Sequence, residues 1–438
     1  MCQNCQTLIR AGVLVTQDQE RRIVEDAGLA LDQGLVLAAG PWDQVRTAYG
    51  PRETLDLSGH MVLPGLINTH THAAMTVLRG LEDDLPLMDW LQNHVWPAEA
   101  RLSPEIVYLG ACLACAEMLS TGTTCFLDLY LFEEHTARAV MASGMRAVLG
   151  EGVLAQATAS YKSLDQALAK VEALRRLCKD HPRLKTCLVG HSVYATTHEA
   201  LARLRDLAES HDEVMTLHAG ESAAETAMCL ERFARRPVAV LADLGLLRPN
   251  LLVAHAVDLT VQEIELLAVA GVKVAHNPRS NMKLASGTAR ISAMRRAGIT
   301  VGLGTDGAAS NNSLNLFAEM SAAALLAKVH TQDPTTLPAQ EVLDMATVSG
   351  AACVGWEDLG SLSPGRAADL IALDMTRPNL QPRHNPVSHL VYAASGHEVR
   401  LSMVAGRVVY RDGQFTDLDY PGLLRELAGV VRWARQNT

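Results

Sequence analysis

Through the middle of the chain, short apolar runs that each close on polar residues alternate with longer stretches of helical periodicity. Eight such runs can be read: MVLPGLINTHTH, TTCFLDLY, RAVLGEG, TCLVGHS, EVMTLHAGES, NLLVAHAV, VKVAHNP and TVGLGTDG. Segments such as SPEIVYLGACLACAEMLS and SLDQALAKVEALRRLC lie between them, with apolar residues at helical spacing. Eight strand–helix units over about 300 residues predict an α/β fold, a (β/α)8 TIM-like barrel, better than a doubly wound sheet. The ends of the runs hold His70, His72, Asp128, Glu151, His191, His218, His255, His276 and Asp306. Barrels of this kind carry their chemistry at the C-terminal strand ends, so this placement predicts an enzyme.

The two ends of the chain have a different rhythm. LIRAGVLVT, GLALDQGLVLAAG and HMVLPG near the start, and GRAADLIALD and VRLSMVAGRVVYRDG near the end, are β-rich runs punctuated by Gly and Asp. They predict one small composite β-sandwich domain formed by residues 1–63 and 362–420, flanking a barrel over 64–361. The stretch YPGLLRELAGVVRWARQ alternates as an amphipathic helix, expected over 421–438.

Composition narrows the function. The formal charge is -10, and no long Lys/Arg cluster occurs, which argues against a nucleic-acid partner. No segment reaches the ~18 apolar residues of a membrane span, and MCQNCQTLIRAG does not read as a secretory signal, so a cytoplasmic protein without a membrane partner is expected. The nine cysteines lack a framework spacing and read as reduced thiols. Two pairs have CxxC spacing. Cys2 and Cys5 sit at a terminus expected to fray, and Cys112 and Cys115 lie in an apolar helical pattern where small thiols pack as core. Neither pair follows a proline, as the zinc site of HxE…PCxxC deaminases would require.

The chemistry gathers around His70-Thr71-His72. Residues i and i+2 of an extended strand end point the same way, so two imidazoles converge on one ion. His218 ends the fifth run and Asp306 the eighth. Three imidazoles and one carboxylate form a site for one divalent metal per chain, zinc foremost, with iron or manganese as alternatives. A bound metal lowers the pKa of water from ~16 toward ~7. Glu221, three residues after His218, is placed to shuttle a proton. His255 is read as orienting the nucleophile, and Asp306 as both ligand and proton acceptor.

PGLINTHTH, HAGES, VAHAV, HNPRSNMKLASG and GTDGAASNNSLNLFAEM resemble the amidohydrolase superfamily, and within it the 5'-methylthioadenosine/S-adenosylhomocysteine deaminases. The resemblance spans nearly the whole chain and implies a metal-dependent deamination of the adenine ring of a 5'-modified adenosine. It also implies substrate contacts: Glu99 on the ribose hydroxyls, His191 on the base, Ser310 beside Asp306 against the purine, and Trp90 closing the pocket. His191 stands where two-metal relatives place a bridging lysine, which implies a single metal here. One departure bears on the substrate. No arginine occurs from 147 through 174, Glu151 stands at the strand end, and Lys162 is the first cation after it. A pocket-facing Glu151 would repel a carboxylate, which predicts poor acceptance of the S-adenosylhomocysteine tail and leaves methylthioadenosine, 5'-deoxyadenosine or adenosine. The other readings are a hydrolase of another heterocycle, triazine or guanine, and a non-catalytic barrel. A homo-oligomer with a small nucleoside as its ligand is the expected assembly.

Overall fold

In a computed structural model, residues 3–85 and 87–435 are described. Eight parallel strands follow one another around a nearly closed barrel: Leu66–Thr71, Thr123–Tyr130, Arg146–Val153, Leu188–Ser192, Met215–Ala219, Leu251–His255, Lys273–His276 and Val301–Leu303. A short extra strand, Leu184–Thr186, pairs beside the third. The first three strands are buried at every position, because one face fills the barrel and helices cover the other. Just past the last strand, the chain meets the first through a backbone bond at the mouth, Asp306 N–H to His70 O at 2.9 Å, beside side-chain bonds between Asn68 and Thr305. The backbone bond of that closure joins two of the residues singled out for chemistry.

The outer helices start where the sequence supplies caps. Ser103, Thr197 and Ser222 each accept a backbone N–H of the first turn, and Thr260 with Glu263 forms a capping box. Cys112 and Cys115 are buried in the helix Pro104–Ser120, and the helix Tyr420–Arg435 packs against it through Leu423 and Val430. Among the described residues, no single helix is long and apolar enough to cross a membrane.

A separate sheet is built from both chain ends. Its strand order is Gln414–Phe415, Arg407–Arg411, Val399–Val404, Leu370–Asp374, Tyr49–Pro64, Gln3–Val15, Ile23–Asp32 and Leu35–Pro41. The halves join where Leu370–Asp374 runs antiparallel to Tyr49–Pro64, with Ile371 opposite Leu63. Ile9, Leu14, Leu29, Val62, Leu370 and Leu401 form its own core. A buried ion pair ties it to the barrel: Arg146 Nε donates to Asp369 Oδ2 at 2.7 Å, with the guanidinium over the Trp356 ring. The expectation of a frayed N-terminus is corrected. Cys5 lies in the strand Gln3–Val15 and is 1% exposed, since that strand has neighbours on both sides; Cys2 lies outside the described residues.

Candidate active site

His70 and His72 do converge, and they converge on Asp306. Their Nε2 atoms lie 3.4 and 3.1 Å from Asp306 Oδ1, and His218 Nε2 lies 3.3 Å from His72 Nε2. Backbone carbonyls fix two of the rings. Leu129 O accepts from His72 Nδ1 at 2.6 Å, and His191 O accepts from His218 Nδ1 at 2.7 Å. A ring that donates through Nδ1 presents a lone pair at Nε2 in its neutral form. With both rings in that form, the two Nε2 atoms, 3.3 Å apart beside a carboxylate, would make a cradle for a cation. His70 adds an Nδ1 with no hydrogen-bond partner among the described residues. The possible ligand atoms of His70, His72 and His218 all lie within 4.8 Å of one another, as do those of His70, His255 and Asp306.

The electrostatics of two imidazoles suit ligand duty, whereas at His72 burial is outweighed by the Asp306 carboxylate, which draws that ring up to about 9. Burial pushes His70 down to about 4 and His218 well below the usual imidazole range, which keeps both neutral. Burial opposes the charge of Asp306, but the adjacent His70 and His72 rings outweigh it and hold the carboxyl well below its ordinary value. The backbone is bent to place these groups. His255, Ala256 and Asp306 have φ of 73°, 50° and 61°, a left-handed conformation costing non-glycine residues on the order of 1 kcal/mol each. Gly304 permits the approach, since a Cβ there would collide with Asn277 Oδ1 and His70 Cβ.

His255 and Glu221 stand on the same rim, Nε2 to Oε1 at 4.0 Å. Asn281 Oδ1 accepts from His255 Nδ1 at 2.9 Å, which turns the Nε2 lone pair toward the cluster. Glu221 is held by its own backbone: its N–H donates to Glu225 Oε2 at 2.7 Å, while Ser222 caps the helix Ala223–Phe233. Burial raises the Glu221 carboxyl above its usual range, a shift that suits a proton carrier.

These groups open into a cavity of about 370 Å³, lined also by Trp90, Glu99, His191 and Ser310. Trp90, 7% exposed, forms part of the wall. Burial brings His191 down to about 4, so a neutral imidazole faces the space. Ser310 Oγ donates to Asp306 Oδ2 at 2.7 Å, and Ser280 Oγ to the same oxygen at 2.6 Å. The structure thus brings the residues named from the sequence together: all but His70 line the cavity, and His70 lies buried behind it against Asp306.

Other polar residues at run ends have different surroundings. Asp128 Oδ1 accepts from Thr71 Oγ1 at 2.6 Å and from the Ala73 N–H at 2.7 Å, so it holds the residues on both sides of His72. His276 is buried. Glu151 is a correction. It does not line the cavity; it is buried behind the mouth and accepts from the N–H groups of Glu133 at 2.9 Å and Phe132 at 3.2 Å and from Ser160 Oγ at 2.6 Å. It caps the helix Glu133–Ser143, so repulsion of a substrate carboxylate has no structural basis. Lys162 does line the cavity, exposed near its outer end. Sequence reading passed over Tyr130, Ser280, Asn281 and Glu225, all of which touch residues it named. Tyr130 ends the run TTCFLDLY, and Ser280 and Asn281 sit inside HNPRSN, so strand-end placement was their available signal.

Comparison with known proteins gives a consistent picture. Residues 61–409 match the amidohydrolase family. A 5-methylthioadenosine/S-adenosylhomocysteine deaminase from Nitratidesulfovibrio vulgaris strain Miyazaki F is 53% identical over 433 residues, 99% of this chain and 98% of that protein. A 5'-deoxyadenosine deaminase from Methanosarcina mazei is 42% identical over 421 residues, 96% of each chain. The solved structure of an adenosine deaminase from Xanthomonas campestris with bound zinc superposes with a TM-score of 0.97 at 38% identity, covering 99% of this chain and 100% of that one. With its barrel, its strand-end imidazoles and these full-length relatives, the chain belongs to the amidohydrolase family.

Proposed function

We propose that the protein hydrolytically deaminates the adenine ring of 5'-modified adenosines, yielding the inosine analogue and ammonia. The carrying observation is that one cavity is lined by residues of the imidazole–carboxylate cradle, by Glu221 and by Glu99. His70, His72, His218 and Asp306 would hold one divalent metal, with zinc preferred over iron or manganese on the strength of the donor set and the zinc of the similar adenosine deaminase. Such a metal, when bound, supplies a water acidified toward pKa ~7. Asp306 takes the proton of the attacking water. His255 orients that water through its Nε2 lone pair, and Glu221 delivers a proton to the ring nitrogen. Glu99 accepts the ribose hydroxyls, His191 and Ser310 meet the base, and Trp90 covers the ligand.

Methylthioadenosine, 5'-deoxyadenosine, adenosine and S-adenosylhomocysteine all fall within this reading. The last is retained because Glu151 faces away from the cavity and Lys162 lines it. Triazine or guanine hydrolysis is disfavoured, since a ring without ribose leaves Glu99 unmatched. The same reading places the protein in the cytoplasm as a homo-oligomer. The free, buried cysteines of the described residues suit a reducing compartment. It divides the chain into 1–63 with 362–420, 64–361, and 421–438. Ammonia release from the metal-replete protein over a panel of adenosine analogues, guanine and triazines tests the function. Turnover of guanine or a triazine in preference to every nucleoside would overturn it.

A further inference from the structure

We infer that Tyr130 is a positioning residue that sets specificity for the sugar, holding Glu99 in the orientation that receives a cis-diol. The inference rests on the deaminase reading above and adds a residue to it. Tyr130 is the last residue of the second barrel strand, buried at 7% exposure, with its ring on the cavity wall 5.9 Å from that of His72. Glu99 ends a short helix, Trp96–Glu99, that lies outside the barrel and reaches the cavity from the side. Tyr130 OH donates to Glu99 Oε1 at 2.8 Å. Glu99 Oε2 has no hydrogen-bond partner among the described residues.

The chemistry of the pair is directional. A carboxylate on a flexible side chain rotates broadly about its last torsion, and one strong donor fixes its plane. The phenol occupies one lone pair of Oε1. The free lone pairs of both oxygens then face the cavity, an array that matches two adjacent hydroxyl donors. Because the phenol hydrogen is already committed, Tyr130 presents only an acceptor to the ligand as well. A sugar lacking both hydroxyls offers nothing to these acceptors, which it would strip of water at a cost.

Position along the strand adds a second argument. Leu129 O fixes the His72 ring, and the next residue, Tyr130, fixes Glu99. One strand end thus sets the separation between the site of chemistry and the sugar anchor, and a rigid separation is what orients a bound base for attack.

The test compares kcat/KM for 5'-methylthioadenosine and its 2',3'-dideoxy counterpart in wild type, Tyr130→Phe, Glu99→Ala and the double variant, with metal content measured in each. Tyr130→Phe keeps the buried ring and removes only the hydroxyl. We expect the ribo-to-dideoxy ratio to fall about tenfold in Tyr130→Phe, in line with loss of one bond to a charged group. In the Glu99→Ala background the same change should move that ratio by less than about twofold, as a shared pathway requires. An equal loss on both substrates would reduce Tyr130 to a packing residue, and an unchanged ratio would remove it from sugar recognition. Failure of the deaminase reading looks different: wild type would release ammonia from neither nucleoside.

Discussion

Ser280 donates its hydroxyl to Oδ2 of Asp306 at 2.6 Å, and this leaves Oδ1 as the oxygen turned to His70 and His72. Ser310 bonds the same Oδ2, so two hydroxyls hold one oxygen away from the imidazoles and set the carboxylate plane. Second-layer partners of this kind typically contribute 10–100-fold in metal affinity. Ser280→Ala should therefore weaken zinc binding by roughly tenfold or more in a chelator competition, with the circular dichroism unchanged. Unaltered zinc affinity would mean that Asp306 is oriented by the backbone alone.

Elemental analysis of the purified protein should find close to one transition metal per chain. The prediction follows from the one cradle found among the described residues, with His191, not a lysine, next to last in the fourth strand Leu188–Ser192. His72→Ala should abolish metal retention and turnover while keeping the fold, because His72 lies just past the end of its strand with a partly exposed side chain and is not a core residue. Two metals per chain, or full activity after chelation and dialysis, would refute the single site.

Glu221→Gln preserves shape and the backbone bond to Glu225 but cannot carry a proton. Turnover should drop by roughly 10²–10⁴-fold with metal content intact. Near-normal turnover in a metal-replete variant would take Glu221 out of the mechanism.

The Glu151 correction separates two variants. Glu151→Ala strips partners from two backbone N–H groups and one hydroxyl, each costing about 1–3 kcal/mol when buried, so the melting temperature should fall by several degrees. The preference between methylthioadenosine and S-adenosylhomocysteine should not move. Lys162→Met should do the reverse. It should lower kcat/KM for S-adenosylhomocysteine by roughly threefold or more relative to methylthioadenosine, a modest effect because the ammonium is exposed. If Glu151→Ala shifts the preference and Lys162→Met does not, the tail lies on the other side of the mouth.

How much of this was legible in the sequence depends on what each feature needed. The barrel and the metal cradle were legible because they obey local rules: runs of strand length, polar residues at their ends, and HxH on one face of a strand. Glu151 was misread because a one-residue step along a strand reverses the face, and Gly152, not Glu151, lines the cavity. Cys5 was misread because proximity to a terminus says nothing of neighbouring strands. The Tyr130–Glu99 and Ser280–Asp306 bonds join segments far apart in sequence, and no spacing within either segment encodes the meeting.

The two-ended sheet has a consequence for how the molecule is made. Pro64 and Leu370 are partners, yet the whole barrel is synthesised between them. The N-terminal strands therefore leave the ribosome with one edge unpaired and wait for the last part of the chain, since partners so distant in sequence are the slowest to find each other. During that interval Tyr49–Pro64 is an open template for any extended segment, including the same strand of a neighbouring nascent chain. Pulse-labelled hydrogen exchange during refolding should find the amides of Leu370–Asp374 and their partners in Tyr49–Pro64 among the last to gain protection. Chains cut short before residue 370 should aggregate through that edge instead of accumulating as a free barrel.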